Sequence, residues 1–195
     1  MEIREPKSFE DLLYLQSVLD NMVAKPRKNN FTPRTREELD ILLSIDDEFQ
    51  EWLKELPKQY NFKTWKQKEY DLEKELEELT DILFFFLQYF NHKKAFTEKM
   101  CTSIEIEDIN KKMKKMEKIF FHTDVIDCNL RTKIHLFKNY LWSKEVIDGK
   151  LFTEYMDLVQ YRGFSKEDLL KTYWGKWQKN MQRINGDWSM DHEEN

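Results

Sequence analysis

The chain has 195 residues, of which 40% are hydrophobic and 35% charged, with a net charge of −5. This length and apolar content suit one folded domain and exclude a disordered chain, while the acidic balance argues against a nucleic-acid partner. Two cysteines are too few for a disulfide framework or a structural zinc site. The longest apolar run, residues 82–87, is too short for a bilayer, and residues 1–10 lack signal-peptide organisation. We therefore expect no membrane partner and a cytoplasmic location.

The first predicted helix opens at Ser8. Asp11, three residues later, completes a capping box, and leucines then recur at helical spacing up to Met22. A polar loop over residues 24–34 follows. Four glycines, four prolines and the lack of period-two alternation disfavour a β fold along the whole chain. The sequence therefore predicts an all-α protein.

The second predicted helix runs from a capping box of Thr35 and Glu38 to Pro57. It carries two apolar rows. One row is Leu39, Leu42, Leu43, Phe49, Leu53 and Leu56, and the other is Ile41, Ile45 and Trp52 with Glu48 among them. The segment 58–68 leads to a third helix, whose apolar stripe is Leu72, Leu76, Leu79, Leu83, Phe86 and Phe90.

Weaker helical patterns follow beyond Asn91. They cover residues 106–119, 125–141 and 151–161, the last of which ends at Gly163. Ser165 with Asp168 predicts the capping box of a final helix that extends to Ile184. No internal repeat is visible, so we expect a single domain over residues 1–195.

Two pairs of acids carry the chemistry. Glu48 with Glu51, and Glu78 with Asp81, are each three residues apart, which places both members on one helical face. Either pair alone is typical of a solvated surface. Both pairs border apolar stripes, however, where an unpaired charge costs roughly several kcal/mol. Carboxylate oxygens suit Mg²⁺, with Mn²⁺ as the alternative, and this indicates phosphate-ester or pyrophosphate chemistry.

The last helix carries a polar stripe. Tyr173, Lys176, Asn180 and Arg183 follow at intervals of three, four and three. A solvated face is the ordinary interpretation of such a stripe on a terminal helix. The functional one is a phosphate clamp, in which lysine acts as a point charge and arginine as a planar fork.

With these motifs the chain resembles the all-α nucleoside triphosphate pyrophosphatases, and within them the dimeric all-α dUTPases. The acids match the family's Glu-x-x-Glu and Glu-x-x-Asp. The family's Phe-Lys-x-Trp segment resembles Phe62-Lys63-Thr64-Trp65 of this chain. Its Lys-x-x-x-Asn-x-x-Arg motif resembles residues 176–183, and its first helix resembles the segment at Leu15-Gln16. The resemblance covers about residues 8–91 and 166–188. One departure is Phe84, where some members carry histidine.

The resemblance implies Mg²⁺-dependent hydrolysis of dUTP to dUMP and pyrophosphate, which limits uracil incorporation into DNA. Glu48, Glu51, Glu78 and Asp81 would be the metal ligands, with Glu51 as the general base. The substrate-binding residues it implies are Gln16, Lys63, Trp65, Lys176, Asn180 and Arg183.

It also implies a helical bundle of the pyrophosphatase type, with a variable helical insertion at about 92–160, and a homodimer. The insertion is where we would look for a protein partner. Two alternatives stay open at this stage: a related pyrophosphatase acting on another nucleotide such as dCTP, and a helical interaction or regulatory module without catalysis.

Overall fold

A computed structural model describes residues 2–26, 32–65, 68–100, 103–121, 128–143 and 149–186. Within these ranges the backbone forms helices and no strand, which confirms the predicted all-α class. The helices are α1 (Phe9–Val23), α2 (Glu38–Glu55), α3 (Leu72–Met100), α4 (Ser103–Phe121), α5 (Leu130–Leu141), α6 (Gly149–Tyr161) and α7 (Lys166–Asn185). Across the same residues, no helix combines the length and the apolar character that a membrane span requires.

Capping boxes begin the first and last helices as predicted. The Ser8 hydroxyl accepts from the Asp11 N–H at 3.1 Å, and the Asp11 carboxylate accepts from the Ser8 N–H at 3.1 Å. Ser165 and Asp168 form the same pair of contacts, at 3.1 and 2.8 Å. Each box satisfies backbone donors that the first turn of a helix leaves without partners.

The predicted start of the second helix is wrong by two residues. Its N-cap is Glu37 rather than Thr35, and Asp40 accepts from the Glu37 N–H at 2.8 Å. Arg34 donates to Asp40 from both terminal guanidinium nitrogens, at 2.6 and 2.5 Å. Glu38 instead points to α3 and accepts from the Tyr89 hydroxyl at 3.0 Å.

The core face of the second helix takes one predicted apolar row and the later part of the other. Ile41, Ile45 and Trp52, from the row that contains Glu48, are at most 1% exposed, and so is Phe49 of the other row. Leu39 and Leu43 are 57% and 50% exposed, so that other row reaches solvent at its start. The row that contains Glu48 therefore lies on the core face, which places this acid beside α3.

Helix α3 is the centre of the bundle and packs against α1, α2, α4 and α7. Beyond the acidic pair along α3, the Phe9 ring of α1 lies 6.1 Å from the ring of Phe90 on α3. The same ring lies 5.5 Å from that of Phe120 on α4 and 5.9 Å from that of Phe152 on α6. The helices α4 and α6 of the predicted insertion therefore share one apolar core with α1 and α3. The predicted start of the α5 pattern, Val125, lies outside the described residues.

A tight turn directs the chain from α6 into α7. Gly163 adopts a φ of 86°, a left-handed conformation that side chains with a Cβ rarely take. The N–H of Gly163 donates to the Gln160 carbonyl at 2.9 Å, and Ser165 caps α7 immediately afterwards. This turn lays α7 along α3, next to the acidic pair that α3 carries.

Candidate metal and nucleotide site

Acidic side chains meet where α2 packs against α3. Glu48, Glu78 and Asp81 each offer one carboxylate oxygen, and these atoms all lie within 4.8 Å of one another. All three side chains are half-buried. In the part of the chain that the structure describes, no other group of three or more acids, histidines or cysteines is close enough to hold an ion. We call these three residues the acidic triad.

The triad is electrostatically strained without a cation. Burial, and then the charges of Asp81 and Glu78, raise the pKa of Glu48 from 4.5 to about 8. The pKa of Glu78 is also raised, first by burial and then by Asp81, and burial raises that of Asp81. A divalent ion among the carboxylates would offset both the cost of burying their charges and the repulsion between them. An all-oxygen donor set suits Mg²⁺ or Mn²⁺ rather than zinc. The triad can therefore hold a metal ion.

Helix α7 adds positive charge at the triad. The Nζ atom of Lys176 lies 2.5 Å from Oδ2 of Asp81 and opposes the rise in the pKa of that carboxyl. Arg183, two turns further along α7, is exposed and also lowers the pKa of Asp81. Asn180 is half-buried between them along the helix. Of the polar stripe on the last helix, Lys176 thus contacts the acids, whereas the side chain of Arg183 is open to solvent.

Glu51 stands apart from the other three predicted ligands. Its carboxylate pairs with Lys54 on the same helix, and the side chain is 44% exposed. It does not belong to the group of oxygens within 4.8 Å. Glu51 is therefore beside the triad on α2, in contact with solvent, where a water molecule can reach it.

Gln16 is the centre of a buried polar network rather than a surface amide. It is 3% exposed; its Oε1 accepts from the Tyr173 hydroxyl at 3.0 Å and its Nε2 donates to Asp20 at 2.8 Å. Gln88 of α3 also donates to Asp20, at 2.7 Å, and accepts from Arg36 at 3.0 Å. Because Asp20 accepts and Tyr173 donates, the amide orientation of Gln16 is defined.

Phe84 connects this network to the triad. It stands one turn after Asp81 on α3, and its ring stacks on Tyr173 with centroids 4.1 Å apart and an interplanar angle of 20°. Tyr173 in turn stands one turn before Lys176 on α7. The buried amide of Gln16 is therefore linked, through Tyr173 and Phe84, to the turns of α7 and α3 next to Lys176 and Asp81.

The segment of the α2–α3 connection that was predicted to bind substrate is mostly open to solvent. Trp65 is 74% exposed, and Phe62 is 51% exposed. Lys63 is half-buried and lines a cleft of about 180 Å³ between the connection and the end of α2. Lys54, the partner of Glu51, lines the same cleft. The connection and the end of α2 thus border one depression.

Three polar residues at this site were not anticipated from the sequence. Asp20 orients Gln16, and its position four residues later on the same helical face was the available signal. Glu75 and Arg162 form a buried ion pair at 2.6 Å beneath the connection. Glu75 stands one turn before Glu78, but nothing in the sequence indicates that Arg162, which is 87 positions away, reaches it.

Comparison with known proteins now identifies the family. The family model dUTPase_2, described as dUTPase, matches residues 8–188, which include every predicted site residue and the helices α4 to α6. The last two residues of this match, Asp187 and Trp188, lie outside the residues that the structure describes. The search of curated proteins finds no match. A match over nearly the whole chain, on an all-α fold with a clustered acidic triad, places this protein in the dimeric all-α dUTPase family, for which dUTP diphosphatase activity is implied.

Proposed function

We propose that this protein is a magnesium-dependent dUTPase that hydrolyses dUTP to dUMP and pyrophosphate and so limits uracil incorporation into DNA. The observation that carries the proposal is the acidic triad, with its oxygens within 4.8 Å of one another, in a chain of the dUTPase family. Glu48, Glu78 and Asp81 would hold the ion. When bound, Mg²⁺ supplies charge neutralisation of the triphosphate and a template for in-line attack.

Glu51 is the proposed general base. The reaction adds a water oxygen to the α-phosphorus and breaks the bond from that phosphorus to the oxygen bridging to the β-phosphorus, which leaves with pyrophosphate. A carboxylate that contacts solvent beside the triad, as Glu51 does, can accept the proton of that water. Its pairing with Lys54 keeps a cation next to the carboxylate and orients it without burying it.

Lys176 and Arg183 are the proposed triphosphate contacts. In this structure the ammonium of Lys176 neutralises part of the charge on Asp81. A metal ion held by the triad would offset the same negative charge, and this would leave the ammonium of Lys176 free to contact a phosphate oxygen. Arg183 keeps an exposed guanidinium for the outer phosphates. Lys63 borders the adjoining cleft and adds a third cation.

The base is proposed to meet amides and an aromatic face. After its bonds to Tyr173 and Asp20, Gln16 retains one N–H and one oxygen lone pair, the complement of an imide edge. Asn180 offers the same chemistry from α7, and Trp65 an exposed ring for stacking. We propose this arrangement for the uracil of dUTP, and dCTP stays open as the alternative substrate.

We further propose that the protein is a homodimer and that the outer face of α2 contributes to its interface. Leu39 and Leu43 are exposed there at adjacent turns, beside a shallow groove that Leu43 and Gln50 help to line. Sedimentation should give a dimer for the parent and a monomer for Leu43→Glu. A monomeric parent at micromolar concentration would contradict the proposal. A protein partner at residues 92–160 stays a prediction.

The enzymatic proposal is tested by product analysis. Purified protein is incubated with dUTP in Mg²⁺ or in EDTA, and nucleotides and pyrophosphate are quantified. We expect equimolar dUMP and pyrophosphate in Mg²⁺ and neither in EDTA, with Glu78→Gln inactive and the exposed Glu117→Gln unchanged. Formation of dUDP, or hydrolysis that EDTA leaves intact, would show that the proposed reaction is wrong.

A further inference from the structure

The carboxylate of Glu75 is fully buried and accepts four hydrogen bonds from three parts of the chain. Its Oε1 accepts from the indole N–H of Trp52 at 3.2 Å and from Nε of Arg162 at 2.6 Å. Its Oε2 accepts from the Tyr70 hydroxyl at 2.7 Å and from Nη2 of Arg162 at 2.9 Å. The acceptor capacity of the carboxylate is therefore filled. Trp52 belongs to α2, Tyr70 to the α2–α3 connection and Arg162 to the turn that directly follows α6.

Arg162 also contacts both ends of the α2–α3 connection. Its Nη2 lies 3.5 Å from the Tyr70 hydroxyl, shortly before α3 begins. Its guanidinium carbon lies 5.7 Å from the centre of the Tyr60 ring, shortly after α2 ends. One guanidinium thus reaches two aromatic residues ten positions apart, with Lys63 and Trp65 between them. We call Glu75, Arg162, Tyr60 and Tyr70 the clasp.

The connection that the clasp holds is one wall of the 180 Å³ cleft. Lys63 and Tyr70 line the cleft from the connection, and Lys54, the ion-pair partner of Glu51, lines it from α2. Glu55, also on this wall, is close enough to the triad to raise the pKa of Glu78. A change in the path of the connection therefore changes the shape of a cleft that Lys54 and Glu55, near the acids of α2 and α3, also line.

We propose that Arg162 is a positioning residue for nucleotide binding. Its ion pair with Glu75 and its own contacts with Tyr60 and Tyr70 fix both ends of the connection, so that Lys63 and Trp65 are held toward the nucleotide at the triad. This inference rests on the proposed function and assigns a role to a residue outside all the motifs above. A purely structural ion pair would stabilise the junction of α3 with α6 and leave the behaviour of the connection unchanged.

Two variants separate these roles. Tyr70→Phe removes a single hydroxyl from the clasp and leaves the ion pair. The double variant Arg162→Met/Glu75→Gln removes both charges together, because loss of the guanidinium alone would strand a buried carboxylate and unfold the region. The control is Lys133→Met/Asp157→Asn, which removes a fully buried ion pair elsewhere in the bundle, between α5 and α6.

The first readout needs neither nucleotide nor activity. Trypsin can cleave the connection after Lys58, Lys63 and Lys68, and its rate at these sites reports how firmly the connection is held. We expect cleavage there about five to tenfold faster in both clasp variants than in the parent, at a temperature where all are folded. The control should cleave at the parental rate. Unchanged cleavage in the clasp variants overturns the proposal.

The second readout is steady-state kinetics with dUTP. We expect the clasp variants to raise KM about tenfold while kcat stays within about threefold, since the acids are untouched. In a Trp65→Ala background the same clasp changes should add less than about twofold, because they act through the connection that carries Trp65. Full additivity overturns the proposal. If the parent does not hydrolyse dUTP, the proposed function fails, and the trypsin readout alone still decides whether the clasp holds the connection.

Discussion

Replacing Glu48 by glutamine should make the metal-free protein more stable while removing its metal response. In the parent, burial and the two neighbouring acids raise the pKa of Glu48 from 4.5 to about 8. Between these values the folded state binds more protons than the unfolded chain, so the parent loses stability as pH rises from about 4.5 to about 8. Glutamine carries no charge and is free of this penalty.

The size of the effect follows from the spacing of the triad. Two unit charges 4.8 Å apart repel by roughly 3.5 kcal/mol at an effective dielectric constant of about 20. Solvent at a half-buried site, together with the ammonium of Lys176, reduces the net gain to about 1–2 kcal/mol. For a chain of this size that corresponds to a rise in Tm of about 2 to 8 °C.

Thermal unfolding in EDTA at pH 5.5 and 8.5, repeated at pH 8.5 with Mg²⁺, tests this reasoning. We expect Glu48→Gln to melt above the parent at pH 8.5, with a smaller difference at pH 5.5, and to lose most of the Mg²⁺-induced rise in Tm. Glu117→Gln, an exposed acid on α4, should behave like the parent throughout. A variant less stable than the parent at pH 8.5, or one with the full Mg²⁺ response, would refute the electrostatic argument.

Three further substitutions probe the proposed roles. Glu51→Gln should lower kcat by about a hundredfold or more with little change in Tm, and activity within about twofold of the parent would remove Glu51 from the reaction. Arg183→Ala should lower kcat/KM about ten to a hundredfold. Lys171→Ala, which removes a charge elsewhere on α7, should change kcat/KM less than about twofold. Equal effects of the two substitutions would indicate that Arg183 belongs to a solvated face and not to a phosphate site. Gln16→Glu should lower kcat/KM for dUTP at least tenfold, because a carboxylate has no N–H to donate to a uracil carbonyl, and an unchanged kcat/KM would exclude Gln16 from base recognition.

Local rules predicted the helices well because each relies on neighbouring residues. Capping boxes at Ser8 and Ser165, and the helical spacing of apolar residues, involve positions three or four apart. The helices that they predicted are where the sequence indicated them. The start of α2 was misplaced because Asp40, which Arg34 holds, accepts from the Glu37 N–H and forms the capping box with Glu37, while Glu38 accepts from Tyr89 on α3. Such a contact depends on the packed fold.

The site was predictable to the same extent. The triad follows from two acid pairs on helices that had to bury their apolar stripes together, and Lys176 follows from the family motif. The burial of Gln16 and the clasp at Arg162 could not be inferred, because they join residues 87 to 157 positions apart. The pairing of Glu51 with Lys54 was visible at helical spacing, but its separation from the triad depends on how α2 turns against α3.

Diffraction from crystals grown with Mn²⁺ and a non-hydrolysable α,β-imido analogue of dUTP would test the proposed site most directly, because the anomalous signal of manganese locates the metal independently of the nucleotide. We predict anomalous density among the carboxylates of Glu48, Glu78 and Asp81, with the α-phosphate beside it and the uracil near Gln16 and Trp65. Metal and nucleotide bound together at another place on the protein, with the triad empty, would contradict the assignment.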